Sequence, residues 1–579
     1  MQYPYLSELP TARQMTDVFR GYNHNLRIGE GEFYDMKNLG SANYPVLSPR
    51  PRRGVYASPN APHGLIGKDT LCYVDGGAFV INENRINMGL TEDDTPKTLI
   101  SMGAYVIIMP DKKYINTEDL GDRGDIEANV TTDTTVTFTL CKNDGTAFED
   151  AAVQATAPAN PKNMDLWIDT SGIPHSLKQY SATSSMWVSI ASTYIKIAAT
   201  GIGAPFLEGD GVSISGITSA ALADLNTDMI IWSRGDDYIV VTGILDQVTT
   251  QETPITVERR MPIMDFIIES ENRLWGCRYG EARNGEIVNE IYASKLGDFK
   301  NWNSFMGIST DSYAVSVGTD GPFTGAIALT GQPLFFKESC MHKMYGNYPA
   351  NYQIQTTACR GVQRGCSRSL AIVNEVLYYK ARSAVCAYDG SLPVEISAAL
   401  GDVQYGDAVA GALGNKYYIS MSDANGEYHL FVYDTLKGMW HREDDTQALD
   451  FCSFRGDLYY IDGKEKNIRS VLGSGAPDSE PVRWMAETGI IGTDLPDKKY
   501  ISRLDVRMYL DMGARAFFYV QYDSSGSWEH IYTANGERLR SFSVPIRPRR
   551  CDHLRIRIEG EGGANIYSIC KTIEQGSDV

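Results

Sequence analysis

The sequence predicts an all-β protein: a β-propeller of six to eight blades, with seven favoured, an inserted β domain and a C-terminal β-sandwich-like domain. Three observations lead there. Short aromatic strands pair across tight turns at intervals of about 40–50 residues, the period of propeller blades. Tyrosine is high at 34 and glycine at 54, while Leu/Ala/Glu/Lys helical stretches are nearly missing, a balance that suits strands and turns. The last hundred residues alternate apolar with polar, as half-buried antiparallel strands do.

The clearest repeating unit is Asn272–Trp302. Leu274 to Arg278 is short and apolar and reads as a strand, with Ile291 to Ser294 as its partner. The polar Gly280–Gly285 segment reads as the hairpin loop between them. Phe299 and Trp302 then offer large apolar surfaces for burial. A two-stranded ribbon is not stable alone in water, so it must be one piece of a larger repeat.

Five domains are expected. Residues 1–60 form an extended N-terminal arm, rich in Pro and Gly, whose one basic cluster is Arg50, Arg52 and Arg53. Residues 61–118 hold the first blades, including the Asp75-Gly76-Gly77 hairpin signal. Residues 119–260 form the inserted β domain, with a Thr-rich strand from Thr131 to Thr139 and a polar turn at Arg123-Gly124-Asp125. Residues 261–479 hold the remaining blades, each led by Gly or Asn: Gly331 to Lys337, Asn374 to Lys380, Asn415 to Met421 and Gly456 to Gly463. Residues 480–579 read as a separate sandwich with alternating strands at Tyr500–Tyr509, Ala516–Tyr522 and His553–Ile558.

Charge narrows the function classes. The net charge is −19, and the first sixty and last hundred residues together are close to neutral. The acidic charge therefore lies in the middle, which argues against a surface that grips nucleic acid, because phosphate contacts need Lys and Arg. Such a body suits a surface that DNA passes without sticking. No window approaches the ~20 apolar residues of a membrane-spanning helix. Met1 to Pro10 has neither a basic nor an apolar leader region, so no signal peptide is expected. The ten cysteines form no Cys-x-x-Cys and read as buried free thiols of a reducing cytoplasm.

Motifs for chemistry are few. The eight histidines show no metal spacing, and Gly-x-Ser-x-Gly and the Walker and Rossmann loops are missing. No catalytic, cofactor-binding or metal residue is therefore assigned, and no cofactor is expected. Asp523-Ser-Ser-Gly-Ser-Trp528 looks like the Asp-box turn of sialidase-like propellers, but it stands alone and reads better as a hairpin turn with a packed Trp. A carboxylate pair for glycoside hydrolysis needs a set separation that sequence does not give.

Two regions resemble a known family. The arm, with Phe19-Arg-Gly-Tyr-Asn23, Asn38 and Tyr44-Pro-Val-Leu-Ser-Pro-Arg50, resembles the opening of tail-nozzle and stabilisation proteins of tailed bacteriophages. Asn272-Arg-Leu-Trp-Gly276 with Ile291 to Trp302 is similar to the central element of that group, and Gly331 to Lys337 and Tyr567 to Ser577 fit it too. The resemblance implies a non-enzymatic virion protein of the tail, made in the host cytoplasm. It implies a homo-oligomeric ring, usually a hexamer, below the portal and adaptor, in contact with tail fibres or other tail proteins. The ring would close the channel and conduct double-stranded DNA at ejection without reading its sequence, with no membrane in the particle. The alternative from the residues is a glycan-binding or glycan-degrading propeller of the phage tail, whose aromatic content suits sugar stacking. A bacterial surface protein is a third option, which the expected lack of a signal peptide disfavours.

Overall fold

The computed structural model describes residues 11–148, 150–493, 498–536 and 538–575. Among them the chain is strand and turn throughout, and the helical elements are four short 3-10 turns. It divides into two compact units, one of residues 1–99, 335–342 and 356–579, the other of residues 100–334 and 343–355.

The first unit holds antiparallel four-stranded meanders at residues 62–87 and 371–395. A third meander, residues 408–442, is the start of a ten-stranded sheet. A fourth takes three strands from residues 448–470 and its next strand, Gly54–Ala57, from the other end of the chain. The second unit holds the meanders at residues 98–125 and 266–316, and a meander at 325–358 contributes residues to both units. This repeated connectivity is that of propeller blades.

The Gly- and Asn-led strands have one physical cause. The first two strands of these sheets meet at turns whose residues need positive φ: Glu271-Asn272 (54° and 56°), Thr330-Gly331 (48° and 74°), Asn374-Glu375 (49° and 65°) and Arg455-Gly456 (48° and 79°). Paired left-handed residues make the type I′ turn, whose twist matches the flanking strands, and Asn and Gly tolerate it best.

The inserted β domain lies in the second unit as two sheets around one core. One sheet joins Ala128–Thr131, Thr256–Arg259, Gly211–Ser215 and Asp228–Ile230, and the other is built on Val136–Cys141, Tyr194–Ala198 and Tyr238–Thr242. Phe138, Ile197, Phe206, Ile214, Ile239 and Val257 pack between them. A smaller sheet at residues 152–189 has its own core of Leu140, Ile168 and Leu177. Near by, Phe299 and Trp302 are buried as expected, against Ile107, Tyr114, Met261 and Leu274. The adjoining Asn301 side chain accepts from the Gly211 amide at 2.8 Å, which ties the insert to the blade.

Several boundaries differ from the sequence reading. Arg123–Asp125 is the fourth strand of the preceding blade, paired with Lys113–Ile115, so the insert's strands begin at Ala128 rather than at 119. A tripeptide with a central Gly reads as a turn from sequence, but edge pairing overrides that preference. The Thr-rich stretch is two strands, Ala128–Thr131 and Val136–Cys141, in different sheets. The loop expected at Gly280–Gly285 is shorter, because strand Arg273–Glu281 runs through Gly280 and Ile287–Ala293 starts soon after Gly285.

The two ends of the chain depart furthest from expectation. Residues 11–57 are not a lone extended arm. Thr11–Thr16 pairs with Ala564–Gln575, and Gly21–Tyr22 and Glu32–Lys37 lie between Met439–Arg442 and Arg483–Thr488. Nor is 480–579 a separate unit, since it shares one compact unit with the blades of residues 408–470. The ten-stranded sheet passes from the blade, through the two arm strands, into Arg483–Thr488, Leu554–Glu561, Arg515–Tyr522 and Glu529–Asn535. The second sheet of the C-terminal sandwich is Thr11–Thr16, Ala564–Gln575, Lys499–Leu510 and Arg540–Val544. Burial alternates along Leu554–Glu561, as predicted for a sheet with one wet face.

Asn272→Val places a β-branched residue at φ 56° and should cost about 1–2 kcal/mol in denaturant unfolding, whereas Asn272→Gly should be neutral or stabilising.

Candidate functional site

Two features of the first unit gather more charge than a plain blade needs. One is a buried junction and the other an open cleft. The junction forms around the linker His441-Arg442-Glu443-Asp444-Asp445-Thr446, which joins the blade at 408–442 to the next strand, Ala448–Phe454. The arm is pinned there. Arg53, 3% exposed, donates to Glu443 Oε2 at 2.7 Å, to Thr446 Oγ1 at 2.6 Å and to the Tyr460 hydroxyl at 3.1 Å. Its other partner is Asp444, 3.0 Å away, which Arg50 also reaches at 3.2 Å. Arg52, the third member of the basic cluster, is exposed.

The neighbouring side chains extend the network. Arg442 pairs with Asp35 and Asp445 at 3.0 Å each, and Lys37 pairs with Asp445 at 2.9 Å. The Asn38 amide donates to the Glu443 carbonyl at 2.7 Å, and its side chain donates to the Arg483 carbonyl at 2.8 Å. Asn38 has φ 55°, a conformation that asparagine tolerates better than most residues. Burial pushes the Asp444 carboxyl up, but the guanidinium groups of Arg53 and Arg50 outweigh it and hold the carboxyl well below the usual range. Unpaired, each of these charges would cost several kcal/mol to bury.

His441 lies in the same junction with a different character. It is 2% exposed, and among the described residues neither ring nitrogen has a hydrogen-bond partner. Burial, with a smaller push from Lys416, lowers its pKa to about 3, so the imidazole is neutral.

The cleft, of about 340 Å³, lies where several blade strands begin. It is at the small end of ligand cavities, which run ~300–1,000 Å³. Asn60 to His63 lead into the strand Pro62–Gly67, while Asp94 and Pro96 come from the linker to the next blade. Leu449, Ile461 and Lys466 come from the blade at 448–470, and Arg368 from a 3-10 turn. The walls are held by the backbone. Arg368 donates to the carbonyls of Leu449 (2.8 Å) and Lys97 (3.1 Å), and the Lys97 amide donates to the His63 carbonyl at 2.8 Å. Asp75 accepts from the amides of Asn60 (3.1 Å) and Ala61 (2.7 Å). Behind Leu449, the Asp450 carboxylate accepts from the Leu65 amide at 3.0 Å, and burial pushes its pKa up. Burial, then Lys97, lowers the pKa of His63.

A second cleft, about 220 Å³, is lined by residues 28–33, 488–492 and the strand that holds Lys571. Its main charges satisfy each other, since Lys571 contacts both Glu30 oxygens, at 3.0 and 3.1 Å.

Sequence reading assigned no site residue. It noted Arg50 and Arg53 as a basic cluster but had no sign of their partners some 390 residues away. Arg368, Lys466 and Asp94 carry no signal of their own in the sequence. The one available signal for the junction was the charged run Arg442 to Asp445 between two apolar strands, where a blade linker needs no such charge. Among the described residues, no group of His, Cys, Asp or Glu is placed to hold a metal ion, and all ten cysteines are free. The Asp523–Trp528 segment is a hairpin turn with Asp523 and Ser524 at φ 51° and 48°, and Trp528 lies under Arg557 at 4.0 Å.

The chain matches no protein-family model and no curated protein. Among solved structures it is similar to PorZ, a bacterial surface component of the type-IX secretion system of Porphyromonas gingivalis, at 10% identity and TM-score 0.26, over 90% of this chain and 71% of that one. It is also similar to an exo-β-1,3-galactanase of Phanerochaete chrysosporium at 11% identity and TM-score 0.23, over 53% and 94%. A sialidase of Trypanosoma rangeli gives 8% identity and TM-score 0.19, over 91% and 96%. Scores this low carry no argument about activity. The architecture stands on the chain's own strand pairing: a β-propeller protein with an inserted β domain and a C-terminal β-sandwich-like domain.

The junction yields two expectations. Arg53→Ala leaves Glu443 and Asp444 with Arg50 as their remaining guanidinium and opens a buried gap, and should cost about 3 kcal/mol, against no more than ~0.5 kcal/mol for exposed Arg52→Ala, both read by denaturant unfolding. His441 binds its proton less readily folded, at about 3, than at the ordinary 6.5. Its contribution is therefore full above pH 6.5 and is lost as the pH falls from there toward 3. Unfolding measured across that range should show stability declining with acidification, and His441→Gln should flatten the decline.

Proposed function

We propose that the chain is a structural, non-enzymatic subunit of a tailed-phage virion, a tail-nozzle protein that acts as a ring of copies around the exit path of DNA. The resemblance of the arm and of the Asn272–Trp302 unit supports the family. One structural observation supports the mechanical role: the ten-stranded sheet that links a propeller blade to the C-terminal sandwich through the arm, joined on the blade side by the pair Tyr22–Trp440. Domains joined by a linker move independently, whereas domains that share a hydrogen-bonded sheet move as one body. A channel component under the pressure of packaged DNA needs that stiffness. The acidic middle of the chain is consistent with DNA passing without adhesion.

Electron microscopy and light scattering of the purified full chain test this reading. Ring-shaped oligomers are expected, with no retention of double-stranded DNA at physiological salt. A strictly monomeric protein that is also absent from virions sinks it.

A second reading, glycan binding, is favoured by the cleft at Asn60–His63, where polar side chains converge between apolar walls. A glycan array and a reducing-sugar release assay decide between binding, hydrolysis and neither. Release of sugar would overturn the non-enzymatic assignment.

A further inference from the structure

The turn Asp523–Trp528 lies against a histidine. Tyr522 ends one strand of the C-terminal sandwich and pairs with Leu554, which begins another. That register sets Ser524 and His553, just beyond the paired ends, side by side. The two loops are locked together at three points. The Asp523 amide donates to the His553 carbonyl at 3.0 Å, and the Asp523 carboxylate accepts from the amides of Asp552 at 2.7 Å and His553 at 3.3 Å. With its backbone at φ 48°, Ser524 holds its Oγ 2.7 Å from His553 Nε2. On the other side of the ring, Nδ1 lies 2.8 Å from Asp552 Oδ2.

These contacts place the ring's proton. The bond from His553 holds the Asp552 carboxyl below its usual range, so Asp552 is a carboxylate, which only accepts. In the neutral imidazole Nδ1 therefore carries the hydrogen, and Nε2 is bare and accepts from the serine hydroxyl. A hydroxyl aimed at a base that a third group orients is an activated nucleophile. Ser525 and Ser527 are equally exposed, but their hydroxyls reach only each other, at 3.2 Å.

We infer that Ser524 is a covalent modification site, which takes an acyl group from an activated donor of the thioester class. Ser524 Oγ bonds to the acyl carbon as its proton passes to His553 Nε2. The carbon–sulfur bond breaks, and the departing thiolate takes that proton from Nε2. A thiolate leaves readily, so this step proceeds without a dedicated oxyanion donor. The product is an ordinary alkyl ester with a poor leaving group. The amide that follows the nucleophile, Ser525, is engaged with the Tyr522 carbonyl at 3.1 Å, and loss of one oxyanion donor slows such chemistry by ~10²–10³. The acyl group therefore stays on the serine, and the chain is modified once rather than turning substrate over. The inference rests on neither the tail nor the glycan reading.

The probe is p-nitrophenyl acetate, an activated acetyl donor, added to the full chain, with peptide mass spectrometry to locate the acetyl group. Ser524 should be acetylated well ahead of Ser525 and Ser527, and the ester should persist after the reagent is removed. His553→Gln should slow acetylation of Ser524 about a hundredfold. Asp552→Asn should slow it too, because an amide can donate to Nδ1 and so move the ring's proton to Nε2. Acetylation of lysines should be the same in all variants, and an unchanged melting temperature shows that each is folded. Equal labelling of the three serines, no label on Ser524, or a rate that His553→Gln leaves unaltered would overturn the inference. Continued release of p-nitrophenolate that Ser524→Ala abolishes would show turnover, and would overturn both the single modification and the non-enzymatic assignment.

Discussion

The burial of the Arg53 guanidinium against Glu443 and Asp444 is the interaction on which the first unit turns. It fixes where the arm crosses the blade linker. That position sets the register of Gly54–Ala57 beside Ile468–Ser470 on one side, and of Glu32–Lys37 beside Arg483–Thr488 on the other. A buried ion pair of this kind adds little net stability, because the charges must leave water before they can attract each other. It does penalise every alternative register, since a shift by one residue would leave charges buried without partners.

The same chemistry recurs wherever irregular backbone is buried. In the second unit Arg273, 1% exposed, donates to the carbonyls of Ser294 (2.7 Å), Asp311 (2.5 Å) and Ser309 (2.9 Å). Arg259 bonds the Ile126 carbonyl at 3.1 Å and pairs with buried Asp210 at 2.6 Å where the insert leaves the blade. Strand carbonyls find partners in the neighbouring strand, but loop carbonyls do not, and an unpaired buried carbonyl is costly. The arginine fork, with five donors on a planar group, serves several at once. A fold made of many small sheets has many such loops, so buried arginines hold together what the hydrophobic cores cannot reach.

How much of this was legible in the sequence follows from the range of the forces. Blade strands were readable because their signals are local: the short aromatic and apolar run in Lys416–Ser422, or the left-handed Asn at 374. The burial of Phe299 and Trp302 was readable for the same reason. Arg123–Asp125 was not, since its strand state comes from pairing with Lys113–Ile115 and not from its own residues. The continuity of arm, blade and sandwich was hidden more deeply. A strand of two residues, such as Gly21–Tyr22, leaves almost no pattern, and its partner on the blade side, Trp440, lies more than 400 positions away. The cleft was hidden because Asn60, Asp94, Arg368 and Lys466 are ordinary loop residues until the fold brings them together.

The pairing of Gly54–Ala57 with Ile468–Ser470, and of Thr11–Thr16 with Ala564–Gln575, has a consequence for biosynthesis. On the ribosome these segments emerge before their partners, which follow more than 400 residues later. Until those partners emerge the earlier strands keep open edges, which are templates for unwanted pairing. Contacts so far apart in sequence also form slowly. Arg50, Arg52 and Arg53, with Pro49 and Pro51 among them, stand just before Gly54–Ala57, and charge and proline beside a strand are what blunt an open edge.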